Sequence, residues 1–276
     1  MKLSVIIVSY NAMDFLVKCL DSLQKHLPED SEVIVFDNNS PDREIENIAE
    51  NYPSMQFILN PENLGFGRAN NRAVSLAKGE WVLILNPDTI VYQDFFPALY
   101  IYADSVENLG AIGVRMLDGN GDFLPESKRN IPSPYASFSK LFSWFNGVGK
   151  RYYNETLQPN ENGKVEILSG ACMFMKKQVY EEVGGFDEQY FMYGEDIDIS
   201  YSLLNLGYQN YYLGEVYITH FKGESTVKDE KYLKNFYGAM EIFIEKYHKP
   251  KNPFLYYIML AGLKLKHKME KLKLKK

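Results

Sequence analysis

Short apolar runs alternate with helical patterns along the first hundred residues. The runs are rich in Val, Ile and Leu, as buried strands of a parallel sheet are. These predicted strands are Leu3–Ser9, Glu32–Asp37, Met55–Leu59 and Trp81–Leu85. After the first strand, apolar residues recur at helical spacing from Phe15 to Leu23, behind a cap at Asn11 or Asp14. The repetition predicts an α/β protein with a doubly wound, mostly parallel sheet flanked by helices.

The alternation continues through a predicted helix at Asp94–Ser105 and a strand at Ala111–Met116, and then stops. From Asp118 to Gly163 the chain carries prolines such as Pro125, Pro132 and Pro134, the turn sequence DGNGD and an aromatic run. A segment of this length without periodicity is usually functional in a compact domain. It is either an active-site lid or acceptor loop, which we expect, or a surface insertion.

Regular patterns return after this segment. They predict a strand within Val165–Lys176, a helix from near Asp196 to Gly207, a strand ending at His220 and a helix over Lys231–Tyr247. No linker separates independent domains. We therefore predict one domain over residues 1–248, followed by a tail over residues 249–276.

Charge is unevenly distributed along the chain. Lys and Arg number 30 against 36 Asp and Glu, a formal net charge of −6, which argues against a nucleic-acid partner. At 46% hydrophobic and 24% charged residues, the composition excludes a disordered chain and an integral membrane bundle. Residues 249–276 differ from the rest because they hold nine lysines and one acid, Glu270.

The basic tail combines these lysines with aromatic and aliphatic residues. Its longest apolar run, Pro253–Leu263, is shorter than the roughly 20 residues of a membrane-spanning helix. We expect residues 253–276 to bind an anionic membrane surface, with a solubilising or dimerising helix as the alternative. With only Cys19 and Cys172 and no secretory leader before the first strand, we expect a cytoplasmic protein, peripheral on the inner face of the cell membrane.

Polar residues follow each of the first four predicted strands. Ligands of open α/β sheets bind at the carboxyl ends of the strands, which makes these residues candidates for a binding site. Turns and helix caps are the alternative for each position alone. Asp37 and Asp88, at the tips of separate strands, favour a ligand site for the set. The candidates are Ser9, Tyr10, Asn11, Asp37, Asn38, Asn39, Ser40, Asn60, Asn63, Asn86, Asp88 and Thr89.

Two common nucleotide-binding motifs are missing from the sequence. GFGRAN at Gly65 has Asn70 in place of the third glycine and does not directly follow a strand, and GxxxxGK[ST] is absent. Hydride transfer and P-loop phosphoryl transfer therefore lack support.

Acids crowd into the sequence GGFDEQYFMYGEDIDIS from Gly184. Glu195 and Asp196 open a predicted helix, where acids are favoured for structural reasons, but crowded carboxylates also suit a general base. His220 ends a predicted strand and begins HFKGEST. It is either a structural histidine or a metal ligand.

Seven stretches in order carry a resemblance to a known family. They are VIIVSYN at Val5, DNNS at Asp37, NLGFGRANN at Asn63, LNPDT at Leu85, SGACMFMKK at Ser169, GGFDEQYFMYGEDIDIS at Gly184 and HFKGEST at His220. Together, over about residues 3–226, they resemble the family 2 inverting glycosyltransferases of GT-A fold, in the bacterial rhamnosyltransferase-like branch. The resemblance implies a nucleotide-sugar half at about 1–117 and an acceptor and catalytic half at about 164–248.

The resemblance also implies roles for single residues. Asp37 is expected to contact the donor nucleoside, and Asp196, beside Glu195, to be the catalytic base. Asp88 matches the family's DxD metal motif, with Asn86 in place of the first acid and His220 as a further ligand of Mg²⁺ or Mn²⁺. The expected donor-binding residues are Ser9, Tyr10, Asn11, Asp37, Asn39, Asn63, Gly65, Phe66, Asn70, Asn86, Asp88, Gly170 and Arg129, of which Arg129 meets phosphate or acceptor.

The implied activity is transfer of a sugar from a nucleotide diphosphate to a saccharide hydroxyl. For this branch the expected donor is dTDP-L-rhamnose, with UDP-linked sugars as the alternative, and the expected acceptor is linked to polyprenyl diphosphate. A sugar-nucleotide nucleotidyltransferase is the main rival, although SYNAMDF stands where its GxGxRxxP loop belongs. The second rival is a non-catalytic polysaccharide-assembly protein with a degenerate transferase domain.

Overall fold

A computed structural model of the chain describes residues 1–41, 44–131, 152–221 and 229–274. The strands in these ranges are β1 Leu3–Ser9, β2 Ser31–Asp37, β3 Gln56–Leu59, β4 Trp81–Leu85, β5 Thr89–Ile90, β6 Leu109–Leu117, β7 Gly163–Val165, β8 Cys172–Lys176 and β9 Gln209–His220. The α-helices are α1 Met13–His26, α2 Glu44–Asn51, α3 Phe66–Leu76, α4 Phe95–Ser105, α5 Lys177–Glu182, α6 Glu195–Asn205, α7 Glu230–His248 and α8 Pro253–Lys273. Every strand and helix that the sequence predicts is present.

The strands form one mixed sheet in the order β3-β2-β1-β4-β8-β6-β9-β5, with β7 paired to β9. The first four strands are mutually parallel. Beyond them β8 runs antiparallel to both β4 and β6, β6 and β9 are parallel, and β5 and β7 are antiparallel to β9. The α/β class is confirmed, whereas the predicted mostly parallel arrangement holds only in the first half of the sheet.

Both faces of the sheet are covered by helices. Leu3, Val5 and Ile7 of β1 belong to a hydrophobic core shared with α1, α2 and α4. Ile6 and Val8 belong to the opposite core, shared with α3, α5 and α6. This alternation explains the continuous apolar character of the parallel strands. Because helices cover both faces, the ends of the strands form the open edges of the sheet.

The carboxyl ends of the parallel strands are level with one another. Ser9 lies opposite Asp37, and Asp37 lies opposite Leu59 on the next strand. On the other side of β1, Ile6 lies opposite Ile84. At about 4.8 Å per strand, the four tips span about 15 Å of one edge. The predicted convergence of the polar strand ends is confirmed.

Helix α1 begins differently from the prediction. Its N-cap is Ala12, which makes no side-chain cap, and Asp14 lies within the first turn. Asn11 instead has a positive φ of 51° just before the helix. An acid in the first turn still interacts favourably with the helix dipole. The short helix α2, which buries only Ile45 and Ile48, has too little apolar pattern to be predicted.

Part of the unpatterned segment at 118–163 is folded onto the sheet. The Asp118 carboxylate accepts hydrogen bonds from two backbone N–H groups of the following turn. Arg129 and Ile167 exchange backbone hydrogen bonds with N···O distances of 3.1 and 3.0 Å. Residues 132–151 lie outside the described residues, so the lid or acceptor loop remains a prediction.

Helices α7 and α8 form a hairpin with its own apolar cluster. Asp229 caps α7 and Asn252 caps α8, each accepting a backbone N–H in the first turn. Lys271 near the end of α8 lies 3.4 Å from Glu230 at the start of α7, which makes the helices antiparallel. The cluster between them contains Leu233, Tyr237, Ile244, Tyr256, Met259 and Leu263. The predicted boundary at residue 248 falls in the turn of this hairpin, and the division into domain and tail remains a prediction.

Candidate active site

The tip of β2 places a buried carboxylate at the open edge of the sheet. Asp37 is 5% exposed, and its carboxylate accepts hydrogen bonds from the Ser40 backbone N–H at 3.1 Å and the Ser40 hydroxyl at 2.5 Å. The Ser40 hydroxyl oxygen in turn accepts the backbone N–H of Asn11. The β1 and β2 loops are thereby tied together around Asp37.

Asn38 organises the next part of the edge. Its Nδ2 donates to Asn63 Oδ1 and to the Gly65 carbonyl oxygen, each at 3.1 Å, and its Oδ1 accepts the Leu64 N–H. Asn39, the next residue, is exposed with a φ of 66°, and its expected donor contact remains a prediction. Adjacent asparagines in DNNS give no sequence signal that separates the buried one from the exposed one.

Gly65 lets two loops approach each other closely. Its φ is 79°, and a Cβ built there would lie 2.1 Å from the Phe191 carbonyl oxygen, so only glycine fits. The Phe66 N–H donates to the same carbonyl at 2.9 Å. A Cβ at Gly170 would lie 3.3 Å from Asp196 Cβ and 3.4 Å from the Phe66 ring. Gly170 therefore marks the point at which the loop before α3 meets the acidic end of α6.

Asp88 and His220 meet where β5 pairs with β9. Thr89 lies opposite His220, and the Phe221 N–H donates to the Asp88 carbonyl at 3.0 Å. His220 Nε2 is 3.3 Å from Asp88 Oδ1. Both residues are mostly buried, yet Asp88 Oδ1, His220 Nδ1 and the nearby Asn86 Oδ1 find no hydrogen-bond partner among the residues that the structure describes.

Unpartnered buried oxygens beside an imidazole fit a divalent cation. Carboxylate and amide oxygens suit Mg²⁺ and Mn²⁺, and the histidine favours Mn²⁺. Within the described ranges no three His, Cys, Asp or Glu side chains converge, so a cation here takes its other ligands from water and phosphate. Cys19 Sγ lies beneath this loop, 3.8 Å from the Asn86 carbonyl oxygen, but burial raises its pKa to about 12 and keeps it a neutral thiol.

The acid pair opens helix α6 after Gly194, whose φ is 81°. Asp196 Oδ2 accepts from Arg129 Nη2 at 2.6 Å and from the Gly170 N–H at 3.2 Å, and the side chain remains 18% exposed. Glu195 is buried, and Glu195 Oε2 has no partner. Burial, reinforced by the Asp196 charge, raises the pKa of Glu195 to about 8. Asp196 is therefore the accessible carboxylate of the pair.

Arg129 does not lie open to a ligand. Its side chain is 9% exposed and its guanidinium contacts Asp196, Leu168 and Tyr152. We predicted a contact with phosphate or acceptor, and the structure places it against the predicted base instead. The two residues are 67 positions apart, and no local pattern relates them.

Other expected donor contacts differ in accessibility. Tyr10 is half-exposed, and Asn11 and Asn63 line the edge. Ser9 is buried with an unpartnered hydroxyl. Asn70 is fully buried within α3 and donates to the Phe66 carbonyl, so its side chain does not reach a ligand in this conformation, contrary to our expectation.

The mixed sheet and its polar edge define an α/β enzyme that binds its ligand at the strand ends. Residues 4–184 match the sequence model of Glycosyl transferase family 2, and the chain belongs to this family. The resemblance is confirmed, and the rival class of nucleotidyltransferases is excluded.

Relatives with assigned names cover most of the chain. N-acetylglucosaminyl-diphospho-decaprenol L-rhamnosyltransferase of Mycobacterium tuberculosis is 30% identical over 262 residues, which are 89% of this chain and 85% of that protein. Rhamnosyltransferase WbbL of Escherichia coli is 26% identical over 243 residues, 79% of this chain and 82% of that protein. Rhamnosyltransferases are thus similar to this chain over nearly its full length.

Solved structures share the fold. GalNAc-T7 with UDP, GalNAc and Mn²⁺ superimposes with a TM-score of 0.65 at 16% identity, covering 88% of this chain and 48% of that one. TarS of S. aureus superimposes with a TM-score of 0.58 at 16% identity, covering 97% of this chain and 72% of that one. The chain therefore spans about half of the first structure and most of the second. Across the described parts of the chain, no helix has the length and apolar character to cross a membrane.

Proposed function

We propose that this glycosyltransferase moves L-rhamnose from dTDP-L-rhamnose to a saccharide carried on polyprenyl diphosphate, in bacterial surface polysaccharide synthesis. The supporting observation is the 30% identity to an L-rhamnosyltransferase with a diphospho-decaprenol acceptor, over 89% of the chain. The site agrees with this chemistry because buried carboxylates and amides line one edge of the sheet.

The donor lies along the carboxyl ends of β1, β2 and β4. Asp37 accepts hydrogen bonds from the base or ribose of the nucleoside, in exchange for the Ser40 hydroxyl that it holds now. The loop fixed by Asn38 and Gly65 forms the adjoining wall. The diphosphate then falls near Asp88, which is two strands away from Asp37.

Asp88 and His220 hold a divalent cation, with Asn86 beside them. The cation, when bound, neutralises the negative charge that develops on the departing diphosphate. Two protein ligands suffice because Mg²⁺ and Mn²⁺ in phosphate sites retain several waters and phosphate oxygens.

Asp196 accepts the proton of the acceptor hydroxyl. The hydroxyl oxygen bonds to the anomeric carbon while the bond from that carbon to the nucleoside diphosphate breaks on the opposite face, which inverts the configuration. A single base is enough, since the diphosphate leaves as an anion and needs no proton. Glycoside hydrolysis differs because its leaving group requires a general acid.

The outer face of α8 binds the membrane that carries the acceptor. Its exposed apolar residues recur at helical spacing and are accompanied by lysines such as Lys264 and Lys268. Lys271 contacts Glu230 at the start of α7, and Tyr232 of the same turn lies 5.4 Å from Tyr193, next to the acid pair. The basic end of the hairpin thus lies near the catalytic edge. The exposed apolar residues are Phe254, Tyr257, Ile258, Leu265, Met269 and Leu272.

Vesicle cosedimentation tests the membrane surface. Wild-type protein is expected to bind vesicles of phosphatidylglycerol and phosphatidylcholine more than phosphatidylcholine alone, and L265S/L272S is expected to lose this binding. Ile101→Ser is the matched control, because Ile101 is an exposed apolar residue on α4. Equal vesicle binding by all three proteins contradicts the proposal. An L265S/L272S variant that loses dimers but binds vesicles like the wild type also contradicts it, because it favours the alternative of a dimerising helix.

A thermal-shift panel tests the donor. A ligand that binds only the folded state at 100 times its Kd stabilises that state by about 2.7 kcal/mol. We expect dTDP-L-rhamnose with Mn²⁺ to give the largest shift among dTDP- and UDP-linked sugars. A larger shift with a UDP-linked sugar contradicts the donor assignment, and no shift with any sugar favours the non-catalytic alternative.

A further inference from the structure

Arg129 joins three separate parts of the chain at the acid pair. Its Nη2 donates to Asp196 Oδ2 at 2.6 Å and to the Leu168 carbonyl oxygen, and its Nη1 donates to the Tyr152 hydroxyl at 3.3 Å. The backbone of Arg129 is itself fixed, since it exchanges two hydrogen bonds with Ile167. Hydrogen bonds thus hold both the backbone and the guanidinium group of Arg129.

The hydrogen bonds leave one carboxylate oxygen of Asp196 with spare capacity. Oδ2 accepts from Arg129 and from the Gly170 N–H, which uses both of its lone pairs. Within the described parts of the chain, Oδ1 accepts only the Ile197 N–H, at 2.8 Å. A proton from a bound hydroxyl can therefore be accepted at Oδ1 without breaking a contact of Oδ2.

The charges around Asp196 also single out Arg129. Glu195 on the same helix is buried, and its raised pKa of about 8 makes it largely neutral at pH 7. Tyr152 from the returning segment and Tyr193 before the helix have raised pKa values and are neutral too. Arg129 is then the charged group that faces the Asp196 carboxylate among the described residues.

We propose that Arg129 is a positioning residue, which holds Asp196 Oδ2 and turns Oδ1 toward the acceptor hydroxyl. This inference rests on the proposed role of Asp196 as the base. It replaces the donor contact that the sequence suggested, because the Arg129 side chain is buried and its Nη1 and Nη2 atoms already donate to Tyr152, Leu168 and Asp196.

The split between kcat and KM distinguishes positioning from a merely structural role. Arg129→Met removes the donor that holds Asp196 Oδ2, so we expect kcat to fall by up to about 100-fold for a displacement of about 1 Å, while the KM for the donor stays near the wild-type value. Arg129→Lys keeps a cation that can donate to Oδ2. We expect this variant to recover part of the lost kcat.

The assay uses dTDP-L-rhamnose and a synthetic N-acetylglucosaminyl diphosphate lipid. Arg68→Met is the matched control, since Arg68 is half-exposed and pairs with Glu188 at 3.7 Å. Thermal unfolding of each variant checks that it folds. If Arg129→Met does not fold, the kcat values of Arg129→Lys and of the Asp196→Asn/Arg129→Lys double variant carry the test.

Two results separate the inference from the function on which it rests. If Asp196→Asn abolishes turnover while both Arg129 variants keep wild-type kcat, the positioning role is wrong and the base remains. If Asp196→Asn keeps wild-type turnover, the base assignment itself fails. The inference predicts that Arg129→Lys has no further effect in the Asp196→Asn background.

Discussion

Lys246 offers a sharp test of how the hairpin is fastened to the catalytic helix. Its Nζ on α7 lies 2.7 Å from Asp187 Oδ2 and 2.9 Å from Asp198 Oδ2, and Asp198 is on α6, two residues after Asp196, the proposed base. The Asp198 side chain is 3% exposed, whereas Lys246 is 34% exposed. Lys246→Met would leave the Asp198 carboxylate buried with only the hydroxyls of Tyr247 and Tyr190 as donors.

The expected cost follows from these contacts. Removing one partner of a buried ion pair typically costs about 3–5 kcal/mol. Because Lys246 is partly exposed and two hydroxyls remain, we expect a loss of about 2–3 kcal/mol in the free energy of unfolding at pH 7.5. Urea unfolding followed by tryptophan fluorescence and circular dichroism measures it.

The loss should depend on pH in a defined direction. Burial raises the pKa of Asp198, and Lys246 opposes this rise, so Lys246→Met raises the pKa further. Between the two pKa values, the folded variant keeps a proton on Asp198. The unfolded chain, with an ordinary aspartate pKa of about 3.9, has released that proton. The penalty is present above the raised pKa and shrinks as pH falls toward 5.

Two control variants accompany this prediction. Lys249→Met, at the residue that follows α7, removes an exposed pair with Glu245 at 2.6 Å and should leave the free energy of unfolding nearly unchanged. Asp198→Asn should recover part of the loss when added to Lys246→Met. An unchanged free energy for Lys246→Met, or an equal loss at pH 7.5 and 5, would refute the reasoning.

Three further predictions concern the edge of the sheet. Asp88→Ala should weaken donor binding in Mn²⁺ and make it insensitive to EDTA, and calorimetric titration that finds equal, EDTA-sensitive affinity would reject the cation site. His220→Gln should lower the affinity for Mn²⁺ measured without donor, while an unchanged affinity would remove His220 from the ligands. Gly65→Ala should destabilise the protein by at least about 2 kcal/mol, since φ is 79° and the Cβ would meet the Phe191 carbonyl; a wild-type urea midpoint would contradict this conformation.

The parallel half of the fold was predictable because its information is local. The strands β1, β2 and β4 are short apolar runs that are mostly buried on both faces, and polar residues such as Asp37 and Asp88 mark where two of them end. Parallel strands then bring those ends to one edge without further information.

The mixed half depends on pairings between distant segments. The strand β8 lies between β4 and β6 in the antiparallel sense, although it comes much later in the chain, and its apolar run has no sign of direction. The Arg129 contact with Asp196 is hidden for the same reason. Sequence therefore pointed to the acid pair and to the loop of Asp88 as candidates, and the structure added how each is held.

Transfer assayed with purified protein tests the central claim most directly. Incubation of dTDP-L-rhamnose, Mn²⁺ and the N-acetylglucosaminyl diphosphate lipid should yield a rhamnosylated lipid whose anomeric configuration, read by NMR, is opposite to that of the donor. Asp196→Asn should bind the donor normally but turn over about 10²–10⁴-fold more slowly. A product with retained configuration, or an Asp196→Asn variant as fast as wild type, would contradict the mechanism.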